Sequence, residues 1–239
     1  MRQEYAYEGT ELDLFSHATQ WKRYWASRIH PYLGNRILDV GAGNGATARL
    51  LCTANTALWL ALEPDISLAD EIQRQRAAGR IAKTCHIRVG GIDALHSNER
   101  FDTALYIDVL EHILNDREEL ERAAQHLTEN GRLIVLAPAH QWLFTAFDKA
   151  IGHYRRYDHK MIVALKPRGL RLQRVIYLDS AGLIASLGNR LFLHSSMPTL
   201  GQIKFWDSFL VPISRIVDPL TGDRLGKSIL AVWRREVVL

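Results

Sequence analysis

This chain of 239 residues is poor in sulfur, with two cysteines and three methionines. Cys52 and Cys85 lie in apolar surroundings without the close pairing of a zinc site. That excludes a disulfide scaffold and points to buried free thiols in a reducing compartment. Long apolar runs are missing as well. No stretch of about 18 residues is apolar throughout, so no spanning helix is expected. Met1 to Glu11 is polar and acidic and lacks the apolar centre of a signal peptide. These absences together predict a cytoplasmic protein. Charge of one sign is also scarce. The net charge is +4, and no basic stripe interleaved with aromatics stands out beyond a short region around Arg155, which argues against a nucleic-acid partner. What remains is ordinary globular composition, 47% hydrophobic and 23% charged, long enough for one α/β domain with a decoration.

The most informative stretch is Ile37-Leu38-Asp39-Val40-Gly41-Ala42-Gly43-Asn44-Gly45-Ala46. A short apolar run carrying one acid breaks into three glycines and then into a helix-forming segment. This reads as a buried strand, a tight turn and a helix start. Glycines let a backbone bend sharply and let a ligand approach where a Cβ would collide. The pattern therefore predicts a nucleotide-like ligand at the turn.

Strand and helix patterns then alternate. Strands are expected at 36–40, 57–62, 84–89, 101–107 and 132–136. Helices are expected at 46–53, 67–78 and 116–127, with a turn at Asn130-Gly131. The aromatic-rich stretch from Asp13 to His30 has helical spacing and either packs on the core or covers the ligand cleft. Two later strands are expected at 170–178 and 228–235. Five strands separated by helices imply a parallel sheet with right-handed crossovers and helices on both faces. Ligands in such sheets bind beyond the carboxyl ends of the strands. The glycines, Glu63, Asp93 and Asp108 all fall at those ends.

Taken alone, Gly41-x-Gly43-x-x-Ala46 fits a dinucleotide fingerprint, with Glu63 near the spacing of its ribose acid. An NAD(P)-dependent oxidoreductase is then one reading, and a non-catalytic cofactor-binding module another. Asp39, the third glycine Gly45, and Asp93 after the third strand pull elsewhere. The run from Ile37 to Gly45 resembles the first motif of the class I S-adenosylmethionine-dependent methyltransferases. Glu63, Gly91-Ile92-Asp93-Ala94, Phe101-Asp102, Ile107-Asp108-Val109-Leu110-Glu111-His112-Ile113 and Glu129-Asn130-Gly131-Arg132-Leu133 resemble its later motifs in order.

That resemblance implies a Rossmann-like three-layer sandwich. Its seven-stranded sheet is mostly parallel with the last strand antiparallel, and a helical insertion separates strands six and seven. It implies S-adenosyl-L-methionine as cofactor and S-adenosyl-L-homocysteine as product. Asp39, Gly41, Ala42, Gly43, Asn44, Gly45, Glu63, Pro64, Ile92, Asp93, Asp108, Val109 and His112 become the candidate cofactor residues. Glu63 would accept the ribose hydroxyls and Asp93 the adenine amine. Asp39, Asp93 and Asp108 each have a structural alternative as caps. Glu111 beside His112 is not a ligand set, so no metal is expected.

Beyond strand five lie His140, Asp148 and Gly152-His153-Tyr154-Arg155-Arg156-Tyr157. His140, His153 and Tyr157 are the candidate catalytic residues, the two histidines because imidazole titrates near neutrality. Tyr154, Arg155, Arg156 and Trp206 are candidate acceptor contacts, with the arginines either matching an anionic group or forming a solvated loop. The join between strands six and seven, 179–227, is long, apolar and proline-punctuated. It extends the core, or forms an acceptor pocket, or makes a peripheral membrane contact through 181–217. The domain reading is one unit over 1–239: arm and helix (1–35), cofactor core (36–138), acceptor side (139–227) and final strand (228–239). The expected acceptor is a small or lipid-like molecule, with an apolar body for the insertion and an anionic head for Arg155 and Arg156. The oligomeric state is left open.

Overall fold

The computed structural model describes residues 11–188 and 199–236. Its centre is a seven-stranded sheet in the order β3-β2-β1-β4-β5-β7-β6. The strands are β1 (Arg36–Val40), β2 (Leu58–Glu63), β3 (Cys85–Val89), β4 (Phe101–Ile107), β5 (Leu127–Pro138), β6 (Leu170–Leu178) and β7 (Ser228–Arg235). The first five pair in parallel, and β7 runs antiparallel between β5 and β6. β1, β4 and β7 are buried along nearly their whole length, which is why they read as continuous apolar runs without alternation. The chain starts at the centre, moves outward to β3, then returns to β4 on the far side of β1. The order reverses between β1 and β4, and there the carboxyl ends open a crevice.

Both faces of the sheet are covered. On one, Ile37, Trp59, Leu105 and Ile134 meet α2 (Thr19–Ile29), α3 (Ala46–Leu51) and α4 (Ile66–Ala77), together with residues of the insertion. On the other, Leu38, Tyr106, Val135 and Trp233 meet α5 (Asp116–Gln125) and α7 (His159–Ala164). α1 (Glu11–Ser16) precedes α2, and α6 (Ala146–Ala150) lies between β5 and α7. Cys52 and Cys85 are buried free thiols.

β1, β4, β6 and β7 have the bounds expected from sequence. Two expectations change. The single helix at 13–30 divides into α1 and α2, because Ala18 leaves helical geometry with ψ 69°. The Asn130-Gly131 turn lies inside a longer β5, where the ladder to β4 shifts register. Asn130 takes φ 61°, and a Cβ at Gly131 would lie 2.9 Å from the Thr128 carbonyl oxygen, so the pair makes a bulge and not a strand boundary.

Within the insertion the described residues form helices: α8 (Ser180–Gly188), α9 (Leu200–Phe205), a π-turn at Trp206–Leu210 and α10 (Val211–Leu220). Buried aspartates fasten it to the body. Asp207 accepts from the Gln20 and Trp21 amides at 3.0 and 2.8 Å, capping the start of α2 from far along the chain. Asp218 accepts from the Tyr24 hydroxyl at 2.7 Å and from the Asp179 and Ser180 amides at 2.7 and 3.0 Å. Asp223 pairs with Arg28 and Arg174.

Two stability predictions follow from these contacts. Asp207→Ala strips α2 of its cap and should cost about 1–2 kcal/mol in urea unfolding; an unchanged midpoint would contradict the capping role. On the opposite side of the molecule, Arg88 donates to both Glu99 oxygens at 2.7 and 2.9 Å, and this holds Glu99 down to about 2 from an ordinary 4.5. A depressed carboxyl stabilises above its unfolded value, and that contribution disappears as pH falls through the folded value. The urea-midpoint gap between wild type and Glu99→Gln should therefore be full at pH 6 and shrink between pH 4.5 and 2. A gap independent of pH would contradict it.

Candidate active site

The glycine turn sits at the reversal point. Gly41, Gly43 and Gly45 all adopt positive φ, at 67°, 56° and 77°. A Cβ at Gly41 would press within 2.7 Å of Val109, so strand one and the loop after strand four can approach closely only with glycine there. The turn is tied to β2 through the Ala42 amide, which donates to the Leu62 carbonyl at 2.9 Å. Glu63 adds a second tie. Its two oxygens accept from the Gly43 and Asp65 amides at 2.7 and 3.0 Å, and burial pushes its carboxyl up to about 7 against those bonds.

Gly41, Ala42, Gly43 and Asn44 line a cavity of about 750 Å³, together with Asp108 and His112. The other expected cofactor residues stand outside that lining. Asp39 is buried behind the turn and accepts from the Trp59 indole at 3.2 Å. Burial raises its carboxyl to about 7. Gly45 begins α3, Ile92 is in the core, and Val109 packs against Gly41. Pro64 is half-buried, and Asp93 is exposed on the 3-10 turn after β3.

The wall after β4 is unusually polar. Asp108 takes φ 55° and lines the cavity with its residue exposed; desolvation by the surrounding protein raises its carboxyl to about 6. Glu111 is fully buried, and neither of its oxygens has a hydrogen-bond partner among the described residues. Burial, then the Asp108 charge, pushes its carboxyl well above the usual range. Burial and the neighbouring His153 push His112 down to about 4. The two imidazoles meet edge to face with centroids 4.5 Å apart. His153 Nδ1 lies 3.0 Å from Asp148 Oδ1. Asp148 is itself buried, yet hydrogen bonds from His153 and both arms of Arg156 hold its carboxyl well below the usual range.

The roof is apolar. Trp21 and Trp25 of α2 line the cavity, so that helix both packs on the core and covers the cleft. Ile203, Phe205, Trp206 and Leu210 come from the insertion. The Trp206 indole donates to Asp179 at 2.7 Å. Lys227 lies 3.7 Å from the Trp206 ring centre and 3.6 Å from Asp179, with burial lowering its pKa.

Several acceptor-side expectations are corrected by these positions. Arg155 does not face the cavity: it pairs with Asp116 at 2.6 Å and donates to the Ile113 and Leu114 carbonyls. Tyr154 is exposed outside the lining. Tyr157 is fully buried, its hydroxyl donating to Leu110 and Asp116, and burial drives its pKa upward; it is a brace and not a base. His140 also stands outside the lining, with its ring stacked on Tyr177 at 5.0 Å and Nε2 2.9 Å from the Gly226 carbonyl. Arg156 and His153 do reach the cavity, but Arg156 is committed to Asp148. The sequence reading missed Lys227 and the clustering of Glu111, His112 and His153. Only the third dimension joins residues 111 and 153.

A methyltransferase-domain family model matches residues 16–181, more than half of the chain. The fold is similar to that of the [4+2]-cyclase SpnF, at TM-score 0.62 and 14% identity, covering 92% of this chain and 81% of that one. It is similar to coclaurine N-methyltransferase bound to N-methylheliamine and S-adenosylhomocysteine, at TM-score 0.62 and 14% identity, covering 97% and 76%. A possible histamine N-methyltransferase from Thermotoga maritima gives TM-score 0.62 at 13% identity, covering 95% and 94%. At such identities the structural likenesses establish the fold; the family match decides between the cofactors that the glycine turn left open. The chain belongs to the class I S-adenosylmethionine-dependent methyltransferases.

Proposed function

We propose that this methyltransferase acts on a small apolar or lipid-like acceptor. One observation carries the reading: the same cavity is lined by the glycine turn and by the tryptophans and aliphatic residues of the roof. The left-handed glycines provide a floor without Cβ atoms, which suits close approach of the donor, and Gly41 to Asn44 with Asp108 and His112 would hold it. S-adenosylmethionine supplies a methyl group already activated on a sulfonium. The residues therefore have to align the acceptor and exclude water. Trp21, Trp25 and Trp206 exclude water. His153, held by Asp148 through Nδ1, turns Nε2 to the polar wall beside Glu111.

The cavity's cations are engaged within the protein. Arg156 is paired with Asp148, Lys227 lies beside Asp179, and Lys22 donates to the Phe15 and Ser16 carbonyls. With Arg155 turned away, the case for an anionic headgroup loses its main support.

A membrane surface is the source we propose for that acceptor. Phe205, Phe209, Ile213, Ile216 and Leu220 recur at helical spacing and are 56, 61, 49, 68 and 81% exposed. Phe205 also lines the cavity and stacks on Phe209 at 5.4 Å, so the stripe begins at the cavity wall. Among the described residues no helix is long and apolar enough to cross a membrane, so the contact would be peripheral.

Two measurements test this. Methyl label from S-adenosylmethionine, incubated with the enzyme and cell extract, should enter the organic-soluble fraction, and Trp206→Ala should lower that incorporation by about tenfold or more. Label confined to RNA or protein would contradict the acceptor class. Replacing Phe209 and Ile216 together with aspartate should abolish co-sedimentation with phospholipid vesicles while leaving the fold intact by circular dichroism; undiminished vesicle binding would contradict the membrane face.

A further inference from the structure

Glu111 is the one carboxylate of the described residues that is fully buried with both oxygens unpartnered. Burying an ionised carboxylate without compensation is costly, and the usual compensations are a cation, a hydrogen-bonding network or a metal. No arginine or lysine among the described residues is within ion-pair distance of it. The nearest ionisable side chain paired with it is His153, with Nε2 3.9 Å from Oε1. His112 completes a group whose ligand atoms all lie within 4.8 Å of one another.

The remaining geometry suits a ligand set. His153 Nδ1 is held by Asp148 Oδ1 at 3.0 Å, which leaves Nε2 directed at Glu111. A carboxylate that fixes one ring nitrogen while the other binds a metal is the usual outer-shell arrangement of histidine ligands. Asp148 is fixed in turn by Arg156 and by the Thr145 amide at 2.9 Å. The rings of His112 and His153 stand edge to face at 83°, with their ligand nitrogens within 4.8 Å of each other. All three side chains line the cavity, and Asp108 adds a second carboxylate to the same wall.

We propose that Glu111, His112 and His153 bind a divalent transition-metal ion, with an open coordination position facing the cavity. Two imidazoles and one carboxylate suit Zn²⁺, Co²⁺, Mn²⁺ or Fe²⁺ better than Mg²⁺ or Ca²⁺, which take oxygen ligands. An acceptor oxygen or nitrogen bound at the open position would be held on the wall beside the glycine turn. That use rests on the proposed methyl-transfer function; the binding of the ion does not.

The test uses the full chain, stripped with chelator and titrated with Co²⁺, whose visible absorption reports inner-shell ligands. One equivalent should bind, and Zn²⁺ should displace it. Glu111→Gln and His153→Asn should each weaken Co²⁺ binding more than about tenfold, and Asp148→Asn, which only positions His153, by about tenfold. The S-adenosylhomocysteine-induced rise in Tm, measured on the same samples, reports folding and donor binding separately. Absence of Co²⁺ absorption at millimolar ion, or wild-type affinity in either ligand variant, would overturn the proposal. If the donor shift persists in that case, the methyltransferase reading survives alone.

Discussion

Asp179 joins the roof of the cavity to the sheet beneath it. It follows β6 with φ 71°, where its carboxylate accepts from the Trp206 indole, the Ser214 hydroxyl and the Gly182 amide, with Lys227 close by. Gly182 is required at this approach, since a Cβ there would lie 2.0 Å from Asp179 Oδ2. A buried carboxylate is tolerated only when its lone pairs are met. Here each partner belongs to a different part of the insertion or to the entry of β7. Asp218, Asp207 and Asp223 repeat the device toward α2 and β6. The apolar roof is thus held by polar anchors at its edges, which leaves its inner surface free to meet an apolar molecule.

That arrangement divides the cavity chemically. The floor is backbone: glycines in left-handed geometry tied to β2 by Glu63 and the Leu62 carbonyl. One wall is polar, with Asp108 and Glu111 beside His112 and beside His153, which Asp148 holds in place. The roof is tryptophan and aliphatic. On the proposed reading, floor, wall and roof would hold the donor, meet a polar acceptor atom and enclose an apolar acceptor body.

The sheet and the glycine turn were legible in the sequence, because their signals are local. A strand breaking into alternating glycines, and acids at successive strand ends, can be read without knowing what packs where. The strand bounds followed from continuous apolar runs in the buried centre of the sheet. The acceptor half was less legible, because its meaning depends on pairing across the chain. Arg155 and Arg156 are adjacent, yet one turns to Asp116 and the other to Asp148. Tyr157 reads as a candidate catalytic residue and is instead buried, bonded to Leu110 and Asp116. Asp207 sits in an apolar stretch with no local partner, and only the fold brings α2 to it. Lys227 carried no motif, and its place beside Trp206 comes from the return of the chain into β7.

The central claim is that the glycine turn holds S-adenosylmethionine and thereby fixes where methyl transfer takes place. Its most direct measurement is the thermal stability of the purified chain with and without ligand. S-adenosylhomocysteine at about 100 times its dissociation constant should stabilise the folded state by about 2.7 kcal/mol and raise Tm by several degrees, while NADH leaves it unchanged. A rise with NADH and none with S-adenosylhomocysteine would contradict the account.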